Sequence, residues 1–199
     1  KGKAGAVLVC SGRIAELSDG SIGMSSCWCN GPDGHFSSTQ VLFYRSTDGG
    51  ETWSGSPVDG GEWERNESQW IELADGELLC VMRSNMNTYL GISRSVDKGK
   101  TWSRLRPVLP FYGASAPFLL CTRDNVVLLS CRGWGLFTSM DGGRTWNLPT
   151  QIGSFADGDG GLVIVELPDG KLLAGDPQKP DQARLIRVDR DGEIYPDSE

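Results

Sequence analysis

Ser46-Thr47-Asp48-Gly49-Gly50-Glu51-Thr52-Trp53 decides the fold, because its spelling returns as Ser95-Val96-Asp97-Lys98-Gly99-Lys100-Thr101-Trp102 and as Ser139-Met140-Asp141-Gly142-Gly143-Arg144-Thr145-Trp146. The shared pattern S-x-D-x-G-x-T-W fits the tip of a β-hairpin. Asp accepts hydrogen bonds from nearby backbone N–H groups, Gly supplies the positive φ of a tight turn, and Trp places an apolar indole beneath it. On this reading Asp48, Trp53, Asp97, Trp102, Asp141 and Trp146 are structural, and the three tryptophans are core residues. Residues in such a role hold strands together and catalyse nothing.

Working outward, a second repeat lies between these motifs: an apolar or alternating strand, an Asp-Gly turn, and another apolar strand. It runs from Arg13 to Met24 around Asp19-Gly20, from Trp70 to Val81 around Asp75-Gly76, from Phe118 to Leu129 around Asp124-Asn125, and from Val163 to Leu173 around Asp169-Gly170. Each period is then strand A, Asp-Gly turn, strand B, a loop, strand C, the Asp motif and strand D, recurring about every 45 to 55 residues, as propeller blades do. The spacing predicts four periods at about 6–57, 58–109, 110–151 and 152–199, the last with a C strand and a turn over Arg184–Ile194 but no full Asp motif. No helix of useful length is predicted. Asp157–Gly161 reads as a turn, since its spacing to Glu166 does not fit a Ca²⁺-binding EF-hand.

The three motifs resemble the Asp-box, or BNR, repeats of the sialidase-like β-propellers. The resemblance implies an all-β propeller of the sialidase type as a single domain over residues 1–199, with four blade repeats of a ring that the family closes with six. An unclosed ring would leave two sheet edges to be covered.

Composition narrows the partners. A net charge of −7 over 199 residues disfavours nucleic acid and anionic membranes. An acidic substrate would need a local cluster of arginines. No apolar run approaches the roughly 18 residues of a membrane span. Lys1-Gly2-Lys3-Ala4-Gly5 has no apolar signal-peptide core, so a soluble chain is expected. The six cysteines form no C-x-x-C pair, and Cys80 and Cys131 read as small buried apolar residues. His35 is the sole histidine; without H-E-x-x-H or G-x-S-x-G, neither a zinc hydrolase nor a Ser/His triad is supported. No metal or cofactor is expected, and composition leaves the oligomeric state open.

Chemistry belongs to the rim opposite the Asp-Gly turns, where the A-strand starts and B-strand ends collect. Glu67 lies eight residues before Asp75 and Arg83 eight after it. Two-residue hairpin pairing sets them nearly opposite each other, roughly 25 Å from the turn. A rim salt bridge of little energetic weight and a functional pair are both open on that geometry.

The segment Asn66–Arg83 resembles the sialidase stretch N-E-x-x-x-x-E-L-x-D-G-x-L-L-x-x-x-R. The resemblance implies that Glu67 is the base assisting a tyrosine nucleophile and that Arg83 belongs to a three-arginine cluster holding the substrate carboxylate. It extends to Arg132, which ends the third strand B, and to Arg13, which opens Arg13-Ile14-Ala15 as a similar R-I-P stretch opens in sialidases. Asp33 falls near the family's acid/base aspartate. Tyr112, Trp134 and Trp28 are candidate substrate contacts, with packing or solvation as the alternative.

One departure matters: Gly161 stands where sialidases place the nucleophilic tyrosine. The expected function is a sialidase-like glycoside hydrolase of the exo-α-sialidase type, acting on acidic, sialylated glycans. The alternative is a non-catalytic Asp-box propeller that binds a glycan or a protein, and a third reading is an enzyme acting on another acidic sugar such as a uronate. Asn66-Glu67-Ser68 spells an N-glycosylation sequon, read as chance because a glycan there would block the pocket.

Overall fold

The computed structural model describes residues 6–8, 13–29, 39–58, 65–84, 89–108, 115–132, 135–150, 162–176 and 179–197. They fall in two compact units, Lys1–Tyr112 and Gly113–Glu199. All regular structure among the described residues is β, in four antiparallel sheets, two to each unit.

In the first unit, β3 (Ile22–Cys29), β4 (Thr39–Ser46) and β5 (Ser54–Pro57) form a meander. β1 (Ala6–Leu8) and β2 (Ile14–Glu16) share the outer edge of β3, at Cys27–Cys29 and Ile22–Met24 respectively. β1 was not foreseen from sequence. The second sheet is the meander β6 (Arg65–Glu72), β7 (Leu78–Ser84), β8 (Leu90–Ser95) and β9 (Arg106–Val108). In the second unit, β10 (Ser115–Cys121), β11 (Val127–Arg132) and β12 (Gly135–Ser139) form the third sheet. β13 (Val163–Glu166), β14 (Leu172–Asp176), β15 (Lys179–Val188) and β16 (Ile194–Pro196) form the fourth.

The first hairpin of each sheet turns on three residues, where the sequence suggested two. Leu73 N–H donates to Glu77 O and Gly76 N–H to Leu73 O, both at 2.9 Å, leaving Ala74-Asp75-Gly76 as the loop. The same bonds recur at Leu17/Ser21, Thr122/Val126 and Leu167/Lys171. The last loop residue needs a left-handed backbone: Gly20, Gly76 and Gly170 have φ of 79°, 82° and 85°, and Asn125 serves at 63°. The fourth sheet uses this turn again at Asp189–Glu193, in place of an Asp motif.

The three Asp motifs form as their spelling requires. Ser46 Oγ donates to Asp48 Oδ1 at 2.7 Å and accepts from Gly50 N–H at 2.9 Å, while Thr52 N–H donates to Asp48 Oδ1 at 2.9 Å. The tryptophans depart from the expected core role. Trp53 closes its turn by donating to Gly50 O at 2.9 Å but stays 36 % exposed, and Trp102 and Trp146 are half-buried. Anchoring the indole N–H on the turn, to Gly50 O for Trp53 and to Gly99 O for Trp102, keeps the ring from full burial, although Trp102 still packs against the core through Phe43 of the neighbouring sheet.

The core lies between sheets. In the first unit, Phe43 packs edge-on against Trp70 with centroids 5.1 Å apart, and against Trp102 at 5.3 Å. Each such pair adds about 0.5–1.5 kcal/mol beyond the area it buries. In the second unit, Val126, Leu128, Ile164, Leu172 and Ile186 pack together.

Polar ties also join neighbouring sheets. Ser18 N–H and Oγ donate to the two Glu72 oxygens at 2.7 and 2.6 Å, and Lys98 Nζ pairs with the same carboxylate. In the second unit, Arg123 N–H donates to Glu166 Oε2 at 3.0 Å. Glu72 and Glu166 both stand three residues before their turn Asp. Burial works against the charged form of Glu72, but the bonds from Lys98 and Ser18 outweigh it and lower its pKa.

Candidate functional site

In each sheet the first turn and the C-to-D turn lie at one end, as the pairings Ile22–Ser46, Leu78–Ser95 and Val127–Ser139 require. The start of strand A and the end of strand B therefore share the other end, and the second sheet carries its charged pair there.

β6 opens with a bulge. Arg65 pairs with Ser84 and Ser68 with Met82, so Asn66 and Glu67 together oppose Arg83. An extra residue of this kind bends the strand and re-aims a side chain. Asn66 is 8 % exposed, and its Oδ1 accepts the Glu67 N–H at 2.6 Å. Arg83 Nη1 donates to Glu67 Oε1 at 2.9 Å. The side chains are 22 % and 24 % exposed, Arg83 and Glu67 respectively, so solvent reaches both. A pair this open contributes on the order of 1 kcal/mol or less to folding. The same geometry presents a carboxylate and a cation side by side to a ligand.

Arg13 precedes β2, and its carbonyl accepts the Trp70 indole N–H at 2.9 Å, which ties the start of β2 to β6. Its side chain is exposed. Arg132 ends β11 in the other unit, also exposed. It follows its turn Asp by eight residues, as Arg83 does, but its opposite residue is Ser115, and the place corresponding to Glu67 is Ala116. The third sheet's bulge falls one step further in, at Ala116-Pro117, with Ala116 at φ 47°. Among the described residues, Arg132 has no carboxylate partner.

Asp33, Tyr112, Trp134, His35 and Gly161 lie outside the described residues, as does Asp157–Gly161 as a whole. Trp28 sits on β3 between Val7 and Gln40 in register. Among the expected site residues, the structure brings Glu67 and Arg83 into contact. Cys80, Cys121 and Cys131 carry free thiols, and Cys80 and Cys131 are buried as expected. Burial pushes the Cys131 thiol up to about 12, which makes it inert as a nucleophile near neutrality. Among the described residues, no group of three or more His, Cys, Asp or Glu is placed to hold a metal, and no helix is long and apolar enough to cross a membrane. The burial of Asn66 and its engaged Oδ1 oppose glycosylation at the sequon.

Sequence reasoning missed Asn66 as the lock of the bulge and Glu72, Glu166 and Lys98 as ties between sheets. For the glutamates a signal was present, since Glu-Leu-x-Asp-Gly recurs at residues 16–20, 72–76 and 166–170. For the bulge there was none.

Residues 5–130 match the family described as BNR repeat-like domain. Among solved structures, a Hadza microbial sialidase is 19 % identical at a TM-score of 0.67, over 97 % of this chain and 45 % of that one. The NanB sialidase of Streptococcus pneumoniae is 15 % identical at 0.66, over 96 % of this chain and 48 % of its own. An exo-β-1,3-galactanase from Clostridium thermocellum is 14 % identical at 0.67, over 93 % and 48 %. These similarities establish a fold shared with glycoside hydrolases of differing specificity, and the chain spans about half the length of these proteins. No curated protein matches the sequence.

Proposed function

The chain belongs to the BNR repeat-like domain family, and on that premise we propose that it is the glycan-binding part of a sialidase-like glycoside hydrolase acting on acidic, sialylated glycans. The observation that carries the reading is the Glu67–Arg83 contact of 2.9 Å at the sheet end away from the Asp motifs. In this reading the four sheets are blades of a larger ring, six-bladed as in the family that the repeats resemble. Arg83, Arg132 and Arg13 take the substrate carboxylate, Glu67 is the base, and Asp33 is the acid/base group. A protein of net charge −7 repels an acidic sugar at long range, so binding depends on guanidinium groups at short range, where charge-assisted hydrogen bonds are strong. A neutral nucleophile suits an anomeric carbon beside a carboxylate, because a charged one would be repelled.

Gly161 at the position expected for the tyrosine favours a second reading, in which the same rim binds a glycan or a protein without turning it over. Fluorophore release from an aryl α-sialoside, with an aryl β-galactoside as neutral control, separates the two. Sialoside turnover abolished by Glu67→Gln and by Arg83→Ala supports the enzyme. Turnover that survives both substitutions removes this site from the mechanism, and saturable sialoside binding without turnover selects the second reading.

A further inference from the structure

Charge is unevenly placed along this acidic chain. Between residues 94 and 106 stand five cations, Arg94, Lys98, Lys100, Arg104 and Arg106, against the single carboxylate of Asp97. Two of the five are engaged: Arg94 Nη1 donates to Glu77 Oε2 at 2.7 Å, and Lys98 pairs with Glu72. Asp97 is committed to its own turn, where its carboxylate accepts from Ser95 Oγ at 2.8 Å and from Thr101 N–H at 2.9 Å. Lys100, Arg104 and Arg106 are exposed and have no carboxylate partner among the described residues.

The outer strand sets the arginines in a row. Leu105 packs into the core over Gly91, so alternation turns its chain neighbours Arg104 and Arg106 to the opposite face, about 7 Å apart. β9 is the last strand of its sheet, and Val108 at its end is opposite Leu90, which is opposite Arg83. The row therefore runs down the sheet from the level of the Glu67–Arg83 pair.

Nothing in the fold asks for these cations. The first sheet closes the same turn with Glu51, Gly55 and Pro57 in the places of Lys100, Arg104 and Arg106, and the third has Leu148 and Thr150 in the last two. Guarding an open edge does not account for them either, since β5 is also a last strand and carries no charge over Ser54–Pro57.

We propose that Lys100, Arg104 and Arg106 form a docking surface for an acidic polysaccharide, held along the outer strand of the sheet whose rim carries the Glu67–Arg83 pair. That the partner is a glycan rests on the function proposed above; the cationic surface does not. Guanidinium and ammonium groups bind carboxylate or sulfate through charge-assisted hydrogen bonds. Cations about 7 Å apart suit a polymer with one acid per sugar. Duplex DNA, with a charge every 1.7 Å or so, meets the repulsion of a chain of net charge −7.

Fluorophore-labelled polysialic acid and polygalacturonic acid, followed by anisotropy, test the surface, with dextran, polyglutamate and oligodeoxythymidine as comparisons. At least one acidic polysaccharide should bind, and dextran should not. Lys100→Gln, Arg104→Gln and Arg106→Gln together should weaken that binding about tenfold, with the difference vanishing at about 0.5 M salt. Arg104→Gln alone should weaken it about twofold, which decides the matter if the urea midpoint shows the triple variant to be unstable. Arg184→Gln with Arg190→Gln, removing exposed charge from the fourth sheet, should leave it within about twofold. Failure to bind either acidic polysaccharide overturns the proposal, as does undiminished affinity in the folded variants or equal weakening by the control pair. Polyglutamate or oligodeoxythymidine binding as tightly through the same residues overturns the glycan assignment. An aryl α-sialoside reports on the rim alone: if it neither binds nor turns over while the polymer still binds through the three cations, the function proposed above fails and the surface stands.

Discussion

Arg83 reaches Glu67 across an irregular pairing, at 2.9 Å, because a bulge adds one residue to β6 opposite it. That extra residue is Asn66, and its buried Oδ1 holds the Glu67 N–H. Asn66→Ala should release the bulge and misplace the Glu67 carboxylate, lowering turnover, or ligand affinity if the site only binds, by about tenfold. Asn66→Asp keeps the acceptor and should retain most of the function. Faster exchange of the Arg83 guanidinium protons in Asn66→Ala, followed by ¹⁵N NMR, reports the loss without any assay; unchanged exchange would deny Asn66 its positioning role.

Lys98 occupies a left-handed backbone at φ 59°, where the other two Asp motifs have Gly49 and Gly142. Strain of about 1–2 kcal/mol is expected for a side chain there. Its ammonium pairs with Glu72 and donates to Ser18 Oγ at 2.9 Å. Lys98→Ala loses the contacts and keeps the strain, and should cost about 1–2 kcal/mol by urea unfolding, allowing for partial solvent screening. Lys98→Gly loses the same contacts but removes the strain, and should be about 1 kcal/mol more stable than Lys98→Ala. The reverse order would mean that the backbone there is unstrained.

Gly49 and Gly99 both have positive φ, 75° and 82°, but differ in surroundings. A Cβ at Gly49 meets nothing within 4 Å, whereas one at Gly99 overlaps the Phe43 ring. Gly49→Ala should therefore cost about 1 kcal/mol, from the backbone alone. Gly99→Ala should cost about 3 kcal/mol or more, because Phe43 is wedged between Trp70 and Trp102. Thermal unfolding of the two variants would reveal equal losses if Phe43 can give way.

Acid should loosen the turns once it protonates their aspartates, which hydrogen bonds hold below the ordinary carboxylate range. Thr52 and Ser46 hydrogen bonds hold the Asp48 carboxyl at about 2, against an ordinary 3.8, and Ser21 does the same for Asp19. For Asp97 and Asp141 burial pushes upward, but bonds from Thr101 and Ser95, and from Thr145 and Ser139, outweigh it and leave both at about 2. These pKa values lie below those of the unfolded chain, so their stabilisation is complete above about pH 4 and is lost as pH falls through about 2. The urea midpoint should hold between about pH 7 and 5 and fall between about 4 and 2, with Asp48→Asn shallower over that fall. A midpoint that declines mainly above pH 5 would assign the acid sensitivity to other groups.

The repeat and the all-β character were legible because each turn is a local device: Asp48 bonds to groups within four residues of itself, and Gly, or Asn125 and Lys98 at single places, supplies the left-handed residue. The facing of Glu67 and Arg83 was legible as well, by counting from Asp75, although the turn proved to have three loop residues and the site a bulge. Side-chain neighbours across sheets were not. Glu16 and Glu72 sit in the same Glu-Leu-x-Asp-Gly spelling, yet one is exposed and the other is bonded to Ser18 and Lys98. Local hydrogen bonds belong to the chain's own spacing, so the amino-acid sequence by itself determined where the strands turn. Burial belongs to whatever lies on the other side of the sheet, so only the tertiary structure decided which of two identically spelled carboxylates is engaged.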